Sequence, residues 1–126
     1  ATALAVYLAR TGHEKEEIKD QIEKLFKYDL NRNLDEIRDN YMYTLSCQGT
    51  VPESILAFLY STDYEDAIRN AISLGGDADT MACIAGGIAQ AYYEFIPVEL
   101  ITEATEYLPE QFLSIIEEFD EKFIRR

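Results

Sequence analysis

The chain has 126 residues, enough for one domain that buries roughly two-thirds of its unfolded surface. Apolar residues make up 48% of it, with three prolines and six glycines, which excludes a disordered or fibrous protein. The formal charge of −13 argues against a nucleic-acid-binding patch, which needs clustered Lys and Arg, and it favours cations as ligands.

We expect neither a membrane-spanning segment nor an export signal within this sequence. No apolar run reaches the roughly 20 residues that cross a bilayer, so we expect no membrane partner. Segment 1–9 is apolar without a basic leader or a cleavage site, and we interpret it as a helix that begins upstream. Cys47 and Cys83 have no metal-ligand or redox spacing, and we expect Cys83 to be buried. Two cysteines that are far apart in the sequence and lack such spacing predict a reducing, cytoplasmic location.

Helical periodicity is present along the whole chain, and strand alternation is nearly absent. Segment 18–26 carries an apolar stripe, and Asn33 can cap a short helix after it. The polar stretch 44–50 has no clear stripe, and it predicts either a loop that lines a pocket or a plain connector. Pro52 suits the first turn of the next helix, and a capping box at 62–65 opens another.

The helix expected at 79–93 is apolar on almost every side, which predicts a central position surrounded by other helices. Gly86 and Gly87 would each cost about 1 kcal/mol relative to Ala, so close packing should offset that cost. Pro97 and Pro109 each begin a further helix. The sequence therefore predicts an all-α fold, a compact orthogonal bundle around one buried helix, with 1–126 as a single domain. The last helix has an apolar stripe made of Phe112, Ile115, Ile116, Phe119 and Phe123.

The segment Gly75-Gly76-Asp77-Ala78-Asp79-Thr80 places two carboxylates and a hydroxyl at the start of that buried helix. Charge there is costly unless something compensates it, and Mg²⁺ prefers such hard oxygen donors. The segment therefore predicts part of a metal site. A simple N-cap that follows a Gly-Gly break is the alternative explanation. A calcium EF-hand loop is excluded, because Ala82 and Ile88 stand where that pattern needs Gly and Glu.

The same residues resemble the ADP-ribosylglycohydrolases, also called ADP-ribosyl hydrolases of the dinitrogenase-reductase-activating type. The resemblance extends along nearly the whole chain. The segments that carry it are Ala5–Arg10, Ser46-Cys47-Gln48-Gly49-Thr50-Val51-Pro52-Glu53, Ser73–Thr80, Ala85–Ala89, Ala91–Tyr93 and Ile96-Pro97.

This resemblance implies an all-α enzyme with two Mg²⁺ ions, or Mn²⁺, in a central cleft, where the ions hold the ribose hydroxyls of ADP-ribose. It implies that Asp77, Asp79 and Thr80 are metal ligands. It also implies a substrate-binding role for two further groups of residues. These are Gly75 and Gly76 in the first group, and Ser46, Cys47, Gln48, Gly49 and Thr50 in the second.

The chain departs from the family pattern in length and in one motif. A full member is about twice as long and carries a Thr-Asp-Asp metal motif and an acidic proton-transfer residue in its N-terminal half, and this chain has no Thr-Asp-Asp. We therefore interpret 1–126 as the C-terminal part of a larger domain, with the general base in the missing half and no catalytic residue here. Ala78 stands where Ser is frequent in the family, and Glu94 where Gly is frequent.

The leading hypothesis is the C-terminal part of a Mg²⁺-dependent hydrolase that removes ADP-ribose from a modified protein or a small derivative. This fragment alone is expected to be inactive. The alternatives are a non-catalytic module that binds ADP-ribose or a nucleotide, and a structural helical module. The expected partners are the N-terminal half and, through apolar surface left exposed without that half, a second copy of the chain. His13 is expected to be a surface cap.

Overall fold

A computed structural model describes residues 1–124, and within them the chain forms eight α-helices and no β-strand. The all-α prediction is therefore confirmed. The chain divides into two compact units, Ala1–Phe95 and Ile96–Arg126. The helices are α1 (Thr2–Arg10), α2 (Lys15–Phe26), α3 (Leu34–Asn40), α4 (Cys47–Leu59), α5 (Tyr64–Ser73), α6 (Ala78–Tyr93), α7 (Val98–Glu106) and α8 (Glu110–Phe123).

Short polar side chains set the start of three helices, as N-caps that accept hydrogen bonds from otherwise unpaired backbone N–H groups. Asn33 caps α3 as predicted, accepting from the backbone N–H groups of Asp35 and Glu36. The Ser46 hydroxyl caps α4. Asp63, one residue later than predicted, caps α5.

Helix α6 is the centre of the first unit, and it packs against α1, α4 and α5. Its buried face presents Met81, Ala85, Ile88 and Ala89 to that core. Gly86 brings α5 close, because a Cβ there would lie 2.7 Å from the Ile68 Cδ1 atom. The small residues Ala85, Gly86 and Ala89 let the backbones of neighbouring helices come close. A sequence rich in Ala and Gly therefore forms the middle of the bundle.

One stripe of α6 is exposed, which corrects the expectation that the helix is covered on all sides. The stripe recurs at helical spacing through Asp79, Thr80, Cys83, Gly87 and Gln90. Cys83 is an exposed free thiol, so its predicted burial is wrong. A Cβ added at Gly87 would meet no atom within 4 Å, so packing within this chain does not explain that glycine.

Helix α4 begins five residues before Pro52, so the segment 47–50 is a helical turn and the predicted loop is wrong there. The Ser46 cap and the small Gly49 allow this early start. Gly49 lies against the Thr44 methyl group, which would be 2.5 Å from an added Cβ. Pro52 consequently lies inside the helix, where it lacks the N–H that would otherwise bond one turn back.

The second unit contains α7 and α8, which begin directly after Pro97 and Pro109 as predicted. Neither helix has a fully buried residue. The apolar stripe of α8 is therefore exposed, with Ile115 at 62% and Phe119 at 50%. Among the helices of residues 1–124, none is long and apolar enough to cross a membrane.

Candidate metal and ligand site

The turn between α5 and α6 depends on two consecutive glycines in the left-handed region of backbone space. Gly75 has φ of 75° and Gly76 has φ of 66°, values that side-chain-bearing residues rarely adopt. This pair reverses the chain after Leu74 and places Asp77 at the N-cap position of α6. The acidic side chains of the segment consequently lie at the positive end of the helix dipole.

Asp77 occupies the N-cap position without acting as a cap. Its side chain accepts no hydrogen bond from the backbone of α6, whereas the Asp63 carboxylate accepts one from the Asp66 N–H at 2.8 Å. The cap-only explanation of Asp77 therefore lacks the contact on which it depends. The Asp77 side chain therefore has no bond to the α6 backbone that a ligand would have to replace.

Asp79 is close to Asp77, and its carboxylate is exposed to solvent. A hydrogen bond with the Asp77 side chain is the main cause that lowers the Asp79 pKa below its ordinary value of 3.8. A bond from the Thr80 backbone N–H, 2.8 Å from the Asp79 Oδ1 atom, acts in the same direction. The two carboxyl groups are thus neighbours at the start of α6, beside the exposed Thr80.

This donor set fits part of a divalent-cation site. Carboxylate and hydroxyl oxygens are the ligands that Mg²⁺ accepts, but Mg²⁺ wants about six of them. Within residues 1–124, no group of three or more His, Cys, Asp or Glu side chains is placed to hold a metal ion. Asp77, Asp79 and Thr80 can therefore supply some ligands, and the remainder would be water, substrate or another polypeptide segment.

The second predicted segment forms the first turn of α4. Cys47 and Gln48 are exposed there, and Thr50 is buried. The Ser46 hydroxyl is bound to the Gly49 N–H at 3.1 Å, and it lies 3.0 Å from the Thr44 hydroxyl. A short polar network therefore fixes this turn, and the exposed side chains are the ones free to meet a ligand.

Tyr41 joins the two predicted segments, and it belongs to no motif that would mark it in the sequence. Its ring lies over Gly76, and its hydroxyl donates to the Gly49 carbonyl at 2.9 Å. Burial is the largest cause that raises the Tyr41 pKa above 10.0. The Thr50 hydroxyl opposes the shift, and the negative charges of Glu53 and Asp77 add to it. The Tyr41 side chain thus contacts both the glycine–aspartate turn and the start of α4.

Glu53 is a buried carboxylate beside this junction that the sequence reading did not single out. Its Oε1 atom accepts from the Arg32 guanidinium at 2.7 Å, and among residues 1–124 its buried Oε2 atom has no partner. Both residues line a pocket of about 390 Å³ with Glu36, Asn40 and Tyr41. An acidic residue within the apolar run of α4 was the available signal, since buried charge needs compensation.

His13 has the structural role expected of it. Its Nδ1 atom lies 3.0 Å from the Thr11 hydroxyl and 3.2 Å from the Leu8 carbonyl, at the end of α1. The ring therefore closes a helix terminus.

Comparison with known proteins gives an independent test of the resemblance. The family model for ADP-ribosylglycohydrolase matches residues 1–126. The chain belongs to the ADP-ribosylglycohydrolase family. No solved structure matches the chain. The family match covers both the Gly-Gly-Asp-Ala-Asp-Thr turn and the start of α4, and it does not distinguish the dinitrogenase-reductase-activating type from other members.

Proposed function

We propose that this chain forms part of a Mg²⁺-dependent hydrolase that removes ADP-ribose from a modified protein or a small derivative. Family membership supports a hydrolase of the ADP-ribosylglycohydrolase type. The observation that carries the metal-binding role is the Asp77 carboxylate, which stands at the N-cap of α6 without capping it and beside Asp79. Mn²⁺ is an alternative ion.

In this proposal Asp77, Asp79 and Thr80 hold one side of the metal centre. Bound Mg²⁺ would polarise substrate oxygens and lower the pKa of a bound water. The residues of this chain orient that centre, because the glycine pair fixes the turn and α6 is anchored in the core. Gly75, Gly76 and the segment 46–50 contact the substrate. The general base comes from outside residues 1–126.

The proposed partners and location follow the same assignment. An N-terminal polypeptide segment would complete the metal centre, since two carboxylates and a hydroxyl do not fill the shells of two ions. The two exposed free thiols, Cys47 and Cys83, suit a reducing compartment, and we propose the cytoplasm. Fluorescence microscopy of a tagged form in its own cells would test that location.

Metal titration tests the proposed ligands directly. The purified chain should bind Mn²⁺ weakly, with Kd on the order of millimolar, as measured by water-proton relaxation with Mg²⁺ as competitor. Asp77→Asn and Asp79→Asn should each weaken this binding about tenfold or more. Asp63→Asn is the matched control, because it removes one negative charge at another helix start and keeps a residue that can cap. Equal affinity in all four proteins would refute the ligand assignment.

Activity provides the second test. The purified 126-residue chain should not release ADP-ribose from a modified substrate. A form of the protein that also contains a Thr-Asp-Asp segment should do so, and Asp77→Ala should abolish release while circular dichroism shows unchanged helical content. Tight binding of ADP-ribose without turnover by that longer form would instead favour a non-catalytic binding module.

A further inference from the structure

Tyr41 contacts the Gly75–Thr80 turn through its ring. The residue follows α3 directly, and its own N–H donates to the Ile37 carbonyl at 2.7 Å, which fixes where the side chain begins. The ring lies so close to Gly76 that an added Cβ would be 2.5 Å from the Cε1 atom. Gly76 therefore needs to lack a side chain for two separate reasons, its left-handed φ and this ring.

The same side chain contacts the start of α4 through its hydroxyl. The hydroxyl donates to the Gly49 carbonyl at 2.9 Å, eight residues along the chain. The turn of α4 that contains Gly49 is the one whose exposed residues, Cys47 and Gln48, point away from the core. One side chain thus spans two segments that are distant in sequence.

Helix α3 has a second, independent attachment, to the end of α5 just before that turn. The Arg38 Nε atom donates to the Ser73 hydroxyl at 2.9 Å, and that hydroxyl donates to the Asn70 carbonyl at 2.8 Å. Ser73 is the last residue of α5, two positions before Gly75. The Arg38–Ser73 bond fixes α3 relative to the end of α5. Because Tyr41 directly follows α3, this bond also helps to keep the Tyr41 ring against Gly76.

We propose that Tyr41 is a positioning residue that sets the carboxylate turn and the start of α4 relative to each other. Its ring contacts Gly76 and so restricts the backbone direction that places Asp77. Its hydroxyl binds the Gly49 carbonyl and so fixes the position of the exposed residues in the first turn of α4. This inference rests on the proposed function for its consequence, a coupling between metal affinity and ligand affinity, but its two contacts can be tested without any ligand.

Two substitutions separate the two contacts. Tyr41→Phe keeps the ring on Gly76 and removes only the bond to Gly49. Tyr41→Ala removes both. Tyr43→Phe and Tyr43→Ala are matched controls, because Tyr43 lies two residues away and is 63% exposed.

Amide hydrogen exchange without metal tests the geometry. Tyr41→Phe should raise exchange rates in 46–54 about fivefold, the factor that corresponds to one ordinary hydrogen bond, and leave 75–80 unchanged. Tyr41→Ala should raise the rates in both segments, and the Tyr43 variants in neither. Unchanged rates in both Tyr41 variants would overturn the positioning role, and so would a uniform rise across the whole chain, which indicates only lost stability.

Metal and ligand titrations test the consequence under conditions where circular dichroism shows every variant folded. Tyr41→Phe should bind Mn²⁺ within about twofold of the wild type, whereas Tyr41→Ala should bind it about tenfold more weakly. Titration with ADP-ribose and Mn²⁺ should show weaker ADP-ribose binding already in Tyr41→Phe. A Tyr41→Ala chain with wild-type Mn²⁺ affinity would refute the inference.

The two proposals fail in different ways. A wild-type chain that binds no Mn²⁺ would refute the proposed metal ligands, and the exchange rates alone would then decide whether Tyr41 positions the two segments. A wild-type chain whose Mn²⁺ binding depends on Asp77 and Asp79 but not on Tyr41 would leave the proposed function standing and remove the inference.

Discussion

Two aspartates at equivalent helix positions have different physical roles in this protein. Asp63 and Asp77 both stand at an N-cap, but only Asp63 uses its side chain to bond the helix backbone. The difference follows from the preceding backbone. Asp77 follows a glycine pair, and its own ψ is 67°. Asp63 instead has the extended conformation that capping residues usually adopt. The Asp77 carboxylate therefore has no capping bond to lose if it binds the proposed cation.

This difference predicts unequal effects of the same mutation. Asp63→Ala should lower the free energy of unfolding by about 1 kcal/mol, because an orphan N–H loses its acceptor. Asp77→Ala should lower it by less than about 0.5 kcal/mol, as for surface changes without a special contact. Urea denaturation of the metal-free chain measures both. Equal losses would show that Asp77 caps α6 in solution.

At the scale of the element, the end of α6 carries a strained residue. Glu94 closes the helix in the left-handed conformation, with φ of 56°, a position that Gly usually fills. Glu94 stands where Gly is frequent in the family pattern that the chain resembles, and the left-handed φ gives this difference its physical consequence. A side chain in this conformation costs roughly 1–2 kcal/mol.

We therefore predict that Glu94→Gly stabilises the chain. The gain should be about 0.5–1 kcal/mol, since relief of the left-handed strain exceeds the extra entropy that Gly has in the unfolded chain. Thermal or urea unfolding would measure it. Lys27→Gly is the matched comparison, because Lys27 ends α2 with φ of 60°, and it should show a gain of similar size. A loss of stability in both variants would contradict the argument.

The paired glycines of α6 should also respond differently to alanine. Gly87→Ala should stabilise the chain by about 1 kcal/mol, because Ala has the higher helix propensity and nothing lies within 4 Å of the new methyl group. In Gly86→Ala the same gain is offset by overpacking, because the added Cβ would lie 2.7 Å from the Ile68 Cδ1 atom. Urea denaturation separates the two. A Gly87 variant less stable than Gly86→Ala would be inconsistent with this packing.

At the scale of the whole molecule, the second unit contains the amphipathic helix α8, whose apolar stripe is exposed. Phe112, Ile115, Ile116, Phe119 and Phe123 are each 45–62% exposed. Contiguous apolar surface of this kind favours association in water. The unit does not bury its own apolar residues, so another surface would be needed to cover them.

We predict that the purified chain self-associates as its concentration rises. Sedimentation velocity should show the average mass increasing with protein concentration. The double variant Ile115→Glu and Phe119→Glu should remain monomeric, and Glu118→Gln, on the same helix but outside the stripe, should behave as the wild type. A wild-type chain that stays monomeric over the whole range would exclude the association.

The parts of the fold that could be predicted from the sequence are those set by the effect of a residue on its own backbone. Asn33, Pro97, Pro109 and the glycine pair each act through their own backbone, so helix starts and ends near them could be read without knowledge of the neighbours. The Gly75–Thr80 segment was found for the same reason, because its carboxylates and glycines are consecutive. The start of α4 was missed, because an apolar stripe marks only residues that pack against a core, and the first residues of that helix, Cys47 and Gln48, are exposed.

The sequence by itself determined the all-α class, the family, the glycine–aspartate turn and the apolar stripes, since periodicity and consecutive motifs are properties of neighbours along the chain. Only the tertiary structure decided that Asp77 does not cap α6, that Cys83 and Gly87 face solvent, and that Tyr41 joins the turn to Gly49. These facts depend on which side of a helix another helix covers and on contacts between distant residues, and neither is encoded in local spacing.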